Sequence, residues 1–229
     1  MRVVGLWRYP VKSLAGEERD ALDLDARGVE YDRAWAFVDP EGGIASGKTT
    51  RRFRKVPGLL RHRGRLDGDG PLVELADGRV ARPGTDEGDA LLASIVPPGW
   101  TLQPERATPH FDAGAIHLVT TATLATIGAA LGEPVPPARL RPNLLIDAGD
   151  ADGWPEDGWI GRTLAIGEVE LRVTTRTERC VMVGHAQREL PRRPRLLQTV
   201  GRLNDVCAGV YADVVTPGRM RAGDGVALR

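Results

Sequence analysis

Two cysteines occur among the 229 residues, in different surroundings. Cys180 stands in "TERCVMVG", with Arg179 before it and the apolar run Val181 to Val183 after it. A sulfur beside a guanidinium, at the edge of a strand or turn, is placed to attack an electrophile or, as thiolate, to bind a soft metal. A cysteine next to valine and methionine equally suits a small core position. Cys207 in "NDVCAGVY" lacks flanking positive charge and reads as core. Cysteine proteolysis would need a histidine partner, and only His185 is near in sequence, with His62, His110 and His117 isolated. The adjacent carboxylates Glu156 and Asp157 in "GWPEDGW" point opposite ways on a strand and are usually solvated in a turn, so a structural role fits them better than acid–base chemistry. There is no C-x-x-C and no histidine group, hence no encoded zinc or iron–sulfur site and no disulfide framework.

A second set of residues suits an anion. Of 31 basic side chains only Lys12, Lys48 and Lys55 are lysine. Lys12 and Ser13 follow a β-type run in "RYPVKSLAG", in a turn whose ammonium, hydroxyl and free N–H groups can hold a phosphate. Arg33 in "DRAW", and Arg141 and Asn143 in "RPNLLID", are further donors ahead of apolar runs. The string "GGIASGKTT", residues 42 to 50, matches the phosphate-loop spacing, with Lys48 as the lysine. A true phosphate loop leads into a helix with an apolar face, whereas "TTRRFRKVPGLL" has one aromatic and four basic residues before Pro57. The context predicts a hairpin turn at "DPEGG" and a basic loop, not a nucleotide hydrolase.

The elements that must position these groups are short. "RVVGLWRYPV", "RAWAFVD", "PLVELADGRVA", "RTLAIGEVELRVTT", "RCVMVG", "AGVYADVV" and "GDGVALR" read as strands broken by Gly, Pro and Asp. Helices are expected at "DEGDALLASIV" and at "TTATLATIGAALG", where Leu124, Ile127 and Leu131 share a face and Gly132 stops the run. The expectation is a mostly β, α+β chain with barrel-type closure and a few peripheral helices. The proline-rich stretch 97 to 109 suggests a boundary between residues 1–105 and 106–229. "PRRPR", residues 191 to 195, reads as a solvated loop. The 31 basic and 31 acidic side chains cancel, which argues against nucleic acid or membrane as partner. No apolar run approaches the roughly 18 residues that span a bilayer, and the polar N-terminus predicts a cytoplasmic location.

Taken together, "LWRYPVKSLAGE", "GVEYDRAWAFVD", "HLVTTATLATI", "RPNLLID", "GWPEDGWIGRTLAIGEVELRV", "RCVMV" and "GVYADVVTPGRMRAGDGVAL" resemble the molybdenum-cofactor sulfurase C-terminal (MOSC) family over almost the whole chain, with an N-terminal MOSC β-barrel domain at 1–105 and the MOSC domain at 106–229. The likeness is to the amidoxime-reducing branch. It implies a molybdenum cofactor (molybdopterin) ligated by Cys180, with Lys12, Ser13, Arg33, Arg141 and Asn143 holding the pterin and its phosphate. Thr120 and Thr121 of "LVTTATL" are further candidates, at a place where the family often has serine or an acid, and Lys48 would stand at the cofactor or substrate rim. The implied activity is reduction of N-hydroxylated or N-oxide-type small molecules by oxygen-atom transfer. Electrons would come from a separate donor protein, since the four cysteines of a ferredoxin-like module are missing. Two alternatives share the site: a sulfur carrier using a Cys180 persulfide, and a non-catalytic carrier of the cofactor.

Overall fold

A computed structural model describes residues 1–229. Residues before 106 form β1 (Arg2–Arg8), β2 (Glu17–Glu18), β3 (Ala21–Asp25), β4 (Gly28–Val29), β5 (Trp35–Val38), β6 (Ile44–Ser46), β7 (Phe53–Lys55), β8 (Arg63–Asp67), β9 (Gly70–Glu74), β10 (Val80–Ala81), α1 (Asp86–Ala93) and β11 (Thr101–Pro104). The remainder forms β12 (Ile116–Thr120), α2 (Thr121–Leu131), β13 (Leu144–Asp147), β14 (Thr163–Ile166), β15 (Val169–Glu178), α3 (Arg195–Asn204), β16 (Cys207–Thr216), β17 (Gly218–Arg221) and β18 (Val226–Leu228). The chain is mostly β, as its turn-rich spacing predicts.

The largest sheet has the order β18-β14-β15-β16-β12-β13-β1-β2. It curls back on itself: Val226 N–H donates to Met1 O at 2.9 Å and Val3 N–H to Asp224 O at 2.9 Å, which ties the β18 end to β1. Alternate residues fill the interior, with Ile116 and Leu118, Leu144 and Ile146, Leu164 and Ile166, Leu171 and Val173, and Val210 and Ala212 in one cluster. That period of two is what one buried sheet face requires, and each buried aliphatic side chain contributes about 2 kcal/mol. β1 thus lies inside the sheet built by residues beyond 106, and β3 pairs with β17, so the N-terminal strands are interlocked with the C-terminal ones. The rest of the N-terminal half forms the sheets β11-β5-β6-β7 and β10-β9-β8 around Val11, Leu14, Phe37, Val56, Leu59 and Val73.

α2 begins at Thr120, whose side chain accepts from Thr123 N–H, and ends at left-handed Gly132. Beneath it Glu156 accepts hydrogen bonds of 2.6 Å from both Thr120 and Thr123 hydroxyls. Glu156 is thus fully buried rather than solvated, and holds the start of α2; burial raises its carboxyl above the usual range. Two expectations fail. "RCVMVG" is not a strand, because β15 stops at Glu178 and Val181–Gly184 winds into a single 3-10 turn. The reading of "PRRPR" as only a loop missed α3, which starts at its last arginine and buries Leu196, Thr199 and Val200.

The β15–β16 ladder changes register between Arg176 and Glu178, where Thr177 faces the extra residues Ala208 and Gly209. Such bulges re-aim the side chains that follow, here Arg179 and Cys180. Gly209 has φ +84°, and a Cβ there would lie 2.5 Å from Leu118 O and 2.6 Å from His117 Nε2. Gly209→Ala is therefore expected to cost about 3 kcal/mol, from left-handed strain plus backbone overlap, read as a lower urea midpoint at unchanged slope.

Candidate functional site

A cleft of about 450 Å³ opens where the loop after β1, the turn before β5, the β6–β7 loop, the strand entries of β12 and β13 and the end of β15 meet. Its walls carry Lys12, Arg33, Lys48, Arg141, Arg176 and Arg179 against only two carboxylates, Asp112 and Glu178, with Cys180 on the same wall as Arg179. Such a surplus of cations in a concave space is a receptor for an anion.

Tyr9 organises one side. The guanidinium groups of Arg33 and Arg141 each lie 4.4 Å from its ring centroid, one cation on each contact. Arg33 also pairs with the fully buried Asp32, which accepts from Tyr9 N–H at 2.7 Å. Burial disfavours the Arg33 charge, but Asp32 outweighs it and holds the group above its ordinary value. Arg141 has no such carboxylate; burial brings it down to about 10, and its Nη1 donates to Leu14 O at 2.6 Å. Burial pushes Tyr9 up to about 12, and its hydroxyl has no partner in the chain. Ser13, Arg33 and Arg141 have φ of 65°, 52° and 54°. Left-handed backbone at three non-glycine residues costs roughly 1–2 kcal/mol each and persists where surrounding structure imposes it, as at binding sites. Ser13 Oγ donates to Ala45 O at 3.2 Å, while its N–H has no backbone acceptor.

Lys12 is only 5% exposed, with its ammonium 4.5 Å from the Phe53 ring centroid and 3.0 Å from Asp112 Oδ1. Burial lowers its pKa to about 8 against the opposing pull of Asp112. The other oxygen of Asp112 is 3.7 Å from Lys48 Nζ. Desolvation disfavours the Asp112 charge, yet the two lysines prevail and bring it to about 2. Asp112 therefore occupies the position an anionic guest would take between these ammonium groups.

On the far wall Arg179 donates from Nη2 to Leu140 O at 2.7 Å and from Nη1 to His117 Nε2 at 3.2 Å. The His117 ring nitrogens also face backbone carbonyls, Nδ1 that of Arg141 and Nε2 that of Ala208, each at 3.4 Å. Burial first, and then Arg179, hold His117 well below the histidine range, so it stays neutral. Arg176 is fixed by Asp157 at 3.1 Å and by Asn204 O at 2.9 Å. Cys180 is half-buried, in extended backbone just before the 3-10 turn.

The MOSC domain is matched over residues 106–227 and the MOSC N-terminal beta barrel domain over residues 1–87. The chain belongs to the MOSC family. MOSC domains are associated in general with binding of the molybdenum cofactor. Among solved structures, the YuaD protein of Bacillus subtilis is similar at 17% identity and a TM-score of 0.56, covering 99% of this chain and 94% of its own, a likeness of fold. YiiM of Geobacillus stearothermophilus is 16% identical at a TM-score of 0.41, over 51% of this chain and 54% of its own. A search of curated proteins finds no match.

In this MOSC chain Lys12, Ser13, Arg33, Lys48, Arg141, Asn143 and Cys180 all line the one cleft. Asn143, however, is 1% exposed and its amide is turned to the chain, donating to Trp7 O at 3.2 Å and accepting from His117 N–H and Arg33 Nη1. It positions Arg33 and offers a guest little of its own. Thr120 and Thr121 lie outside the cleft: the first caps α2 and binds Glu156, the second lines a separate shallow depression beside α2. Lys48 follows β6 in a turn, and the next element is the strand β7, not a helix, which rules out a phosphate loop. Asp112, His117, Arg176 and Arg179 were not singled out as site residues by sequence. Of these only Arg176 and Arg179 had a signal, as basic residues leading into Cys180.

Proposed function

We propose that this MOSC chain holds a molybdenum cofactor in the cleft and reduces N-hydroxylated or N-oxide-type compounds, with electrons from a separate donor protein. The observation that carries this reading is the meeting of Cys180 with Lys12, Arg33 and Arg141, far apart in sequence, in one cationic cleft. The donor set fits such a guest. One half-buried sulfur offers a soft metal a single protein bond, and no three His, Cys, Asp or Glu side chains gather to hold a bare ion, so the remaining ligands would come from the guest itself. Arg179 Nε, on a residue of the cleft wall, is a buried polar atom without a partner in the chain, which a guest of this kind would supply.

Cys180 would ligate the metal; Lys12, Arg33, Arg141 and the Ser13 N–H would hold the phosphate end. Lys48 would stand at the rim beside Asp112. Neutral His117 fixes Arg179 next to the sulfur without adding charge. When bound, the cofactor supplies oxygen-atom transfer. Converting an N-hydroxy group to N–H takes two electrons and two protons and releases water. Protein from a cofactor-producing host is expected to turn over benzamidoxime with reduced viologen, and protein from a cofactor-deficient host is not. Metal-free protein carrying labile sulfane sulfur on Cys180, inert toward benzamidoxime after cofactor loading, would establish the sulfur carrier instead.

A further inference from the structure

Two basic segments stand outside the cofactor reading: "TTRRFRKVPGLLR" and "PRRPR", residues 49 to 61 and 191 to 195. The fold brings Lys55 and Arg61 of the first and Arg192 of the second to the rim of one cavity of about 430 Å³. None of the three forms an ion pair or a side-chain hydrogen bond within the chain, although most arginines here have a carboxylate or carbonyl partner. The exposed lining is mainly apolar: Pro57, Met182 and Ala186 reach it, with the nearly buried Val56, Leu59 and Leu60 beneath. The walls are pinned: Arg188 N–H donates to Leu60 O at 3.0 Å, and Arg139 Nη1 donates to His185 O at 2.7 Å.

This cavity adjoins the Cys180 cleft, because Ser13 and Met182 line both. The junction passes Gly47, where a Cβ would lie 2.2 Å from Met182 Sδ and 3.0 Å from the His185 ring. The size suits a small organic molecule. An inorganic anion would gain nothing from the apolar lining, and a purely apolar molecule would gain nothing from the three exposed cations at the rim.

We propose that this second chamber binds an amphipathic organic anion, an aryl or alkyl carboxylate or sulfonate, with its apolar body against Pro57, Ala186 and Met182, its charged end at Lys55, Arg61 and Arg192, and its other end toward the Gly47–Met182 junction and Cys180. As an account of substrate selection it rests on the enzymatic reading above; as a binding site it does not.

The test is calorimetric titration of the full chain with 4-phenylbutyrate and with its neutral amide. The carboxylate is expected to bind about tenfold more tightly, and the Arg61→Gln/Arg192→Gln variant to remove that preference while amide binding is kept. Equal affinities, or a preference that survives in this variant and disappears in Lys12→Met, would overturn the proposal, the second by placing the anion in the main cleft. In cofactor-loaded protein 4-(carboxymethyl)benzamidoxime should have about a tenfold lower KM than benzamidoxime at similar kcat, a difference lost in the double variant. Carboxylate binding that depends on Arg61 and Arg192 without any turnover would support the chamber and reject the enzymatic reading.

Discussion

Cys180→Ser, made in a cofactor-producing host, is expected to contain less than about a tenth of the molybdenum of the parent protein while keeping its fold. Serine preserves size, and the half-buried position carries no hydrogen bond from the sulfur that folding depends on. What changes is ligand softness: a neutral hydroxyl is a poor partner for a metal that selects thiolate. The surrounding cations remain, so the variant separates the metal bond from the electrostatic contribution of Lys12, Arg33 and Arg141. Cys207→Ser is the matched control. Cys207 lies outside the cleft, burial raises its thiol above the ordinary range, and molybdenum content should be unaffected. Metal analysis by mass spectrometry reads both, and stoichiometric molybdenum in Cys180→Ser would end the assignment of this sulfur as the ligand.

The parts of the fold that sequence makes legible are those governed by local pattern. The hairpin at "DPEGG" joins β5 to β6, and the helical spacing of Leu124, Ile127 and Leu131 with Gly132 behind them gives α2 its end. α3 escapes because its apolar face of Leu196, Thr199 and Val200 begins immediately after prolines and arginines that ordinarily mark a loop. "RCVMVG" misleads for the opposite reason: its β-favouring side chains follow the last β15–β16 pair, Glu178 with Cys207, where the chain leaves the sheet for the 3-10 turn at Val181–Gly184.

The site divides in the same way. Cys180 is conspicuous by type, and Lys12 by the scarcity of lysine. Arg33, Arg141 and Asn143 become candidates through resemblance to MOSC sequences, since residues this far apart share no readable spacing. Asp112 and His117 could not be found from pattern, because their importance comes from neighbours delivered by other strands. The left-handed backbone at Ser13, Arg33 and Arg141 is equally silent in sequence, as none of these is glycine. Lack of a helix long and apolar enough to cross a membrane agrees with the absence of any such run in sequence.

Lys12 makes the cleft's hold on anions depend on pH, with the direction set by burial. Its pKa falls from 10.5 to about 8 in the free protein, so it is charged at neutral pH and loses its proton just above. A bound dianion favours the charged lysine and must draw a proton back onto it. Sulfate is the suitable probe because it stays dianionic throughout. Its affinity should fall about tenfold between pH 7 and pH 9, with uptake of about half a proton per sulfate near pH 8, measured by titration calorimetry in buffers of different ionisation enthalpy. Around Lys12, Asp112 is held at about 2, Arg141 at about 10, Arg33 above its ordinary value, and His117 stays neutral. Lys12→Arg, charged at every pH used, should flatten the profile, and an unchanged slope in that variant would assign the titration elsewhere. Stability must move the other way in the sulfate-free chain. Between pH 8 and 10.5 the unfolded lysine binds more protons than the folded one, so stability rises with pH across that interval, by up to roughly 3 kcal/mol. Saturating sulfate should reduce that rise, because the occupied cleft keeps Lys12 protonated; a chain whose stability falls over the same interval would show that Lys12 is not buried as its surroundings require.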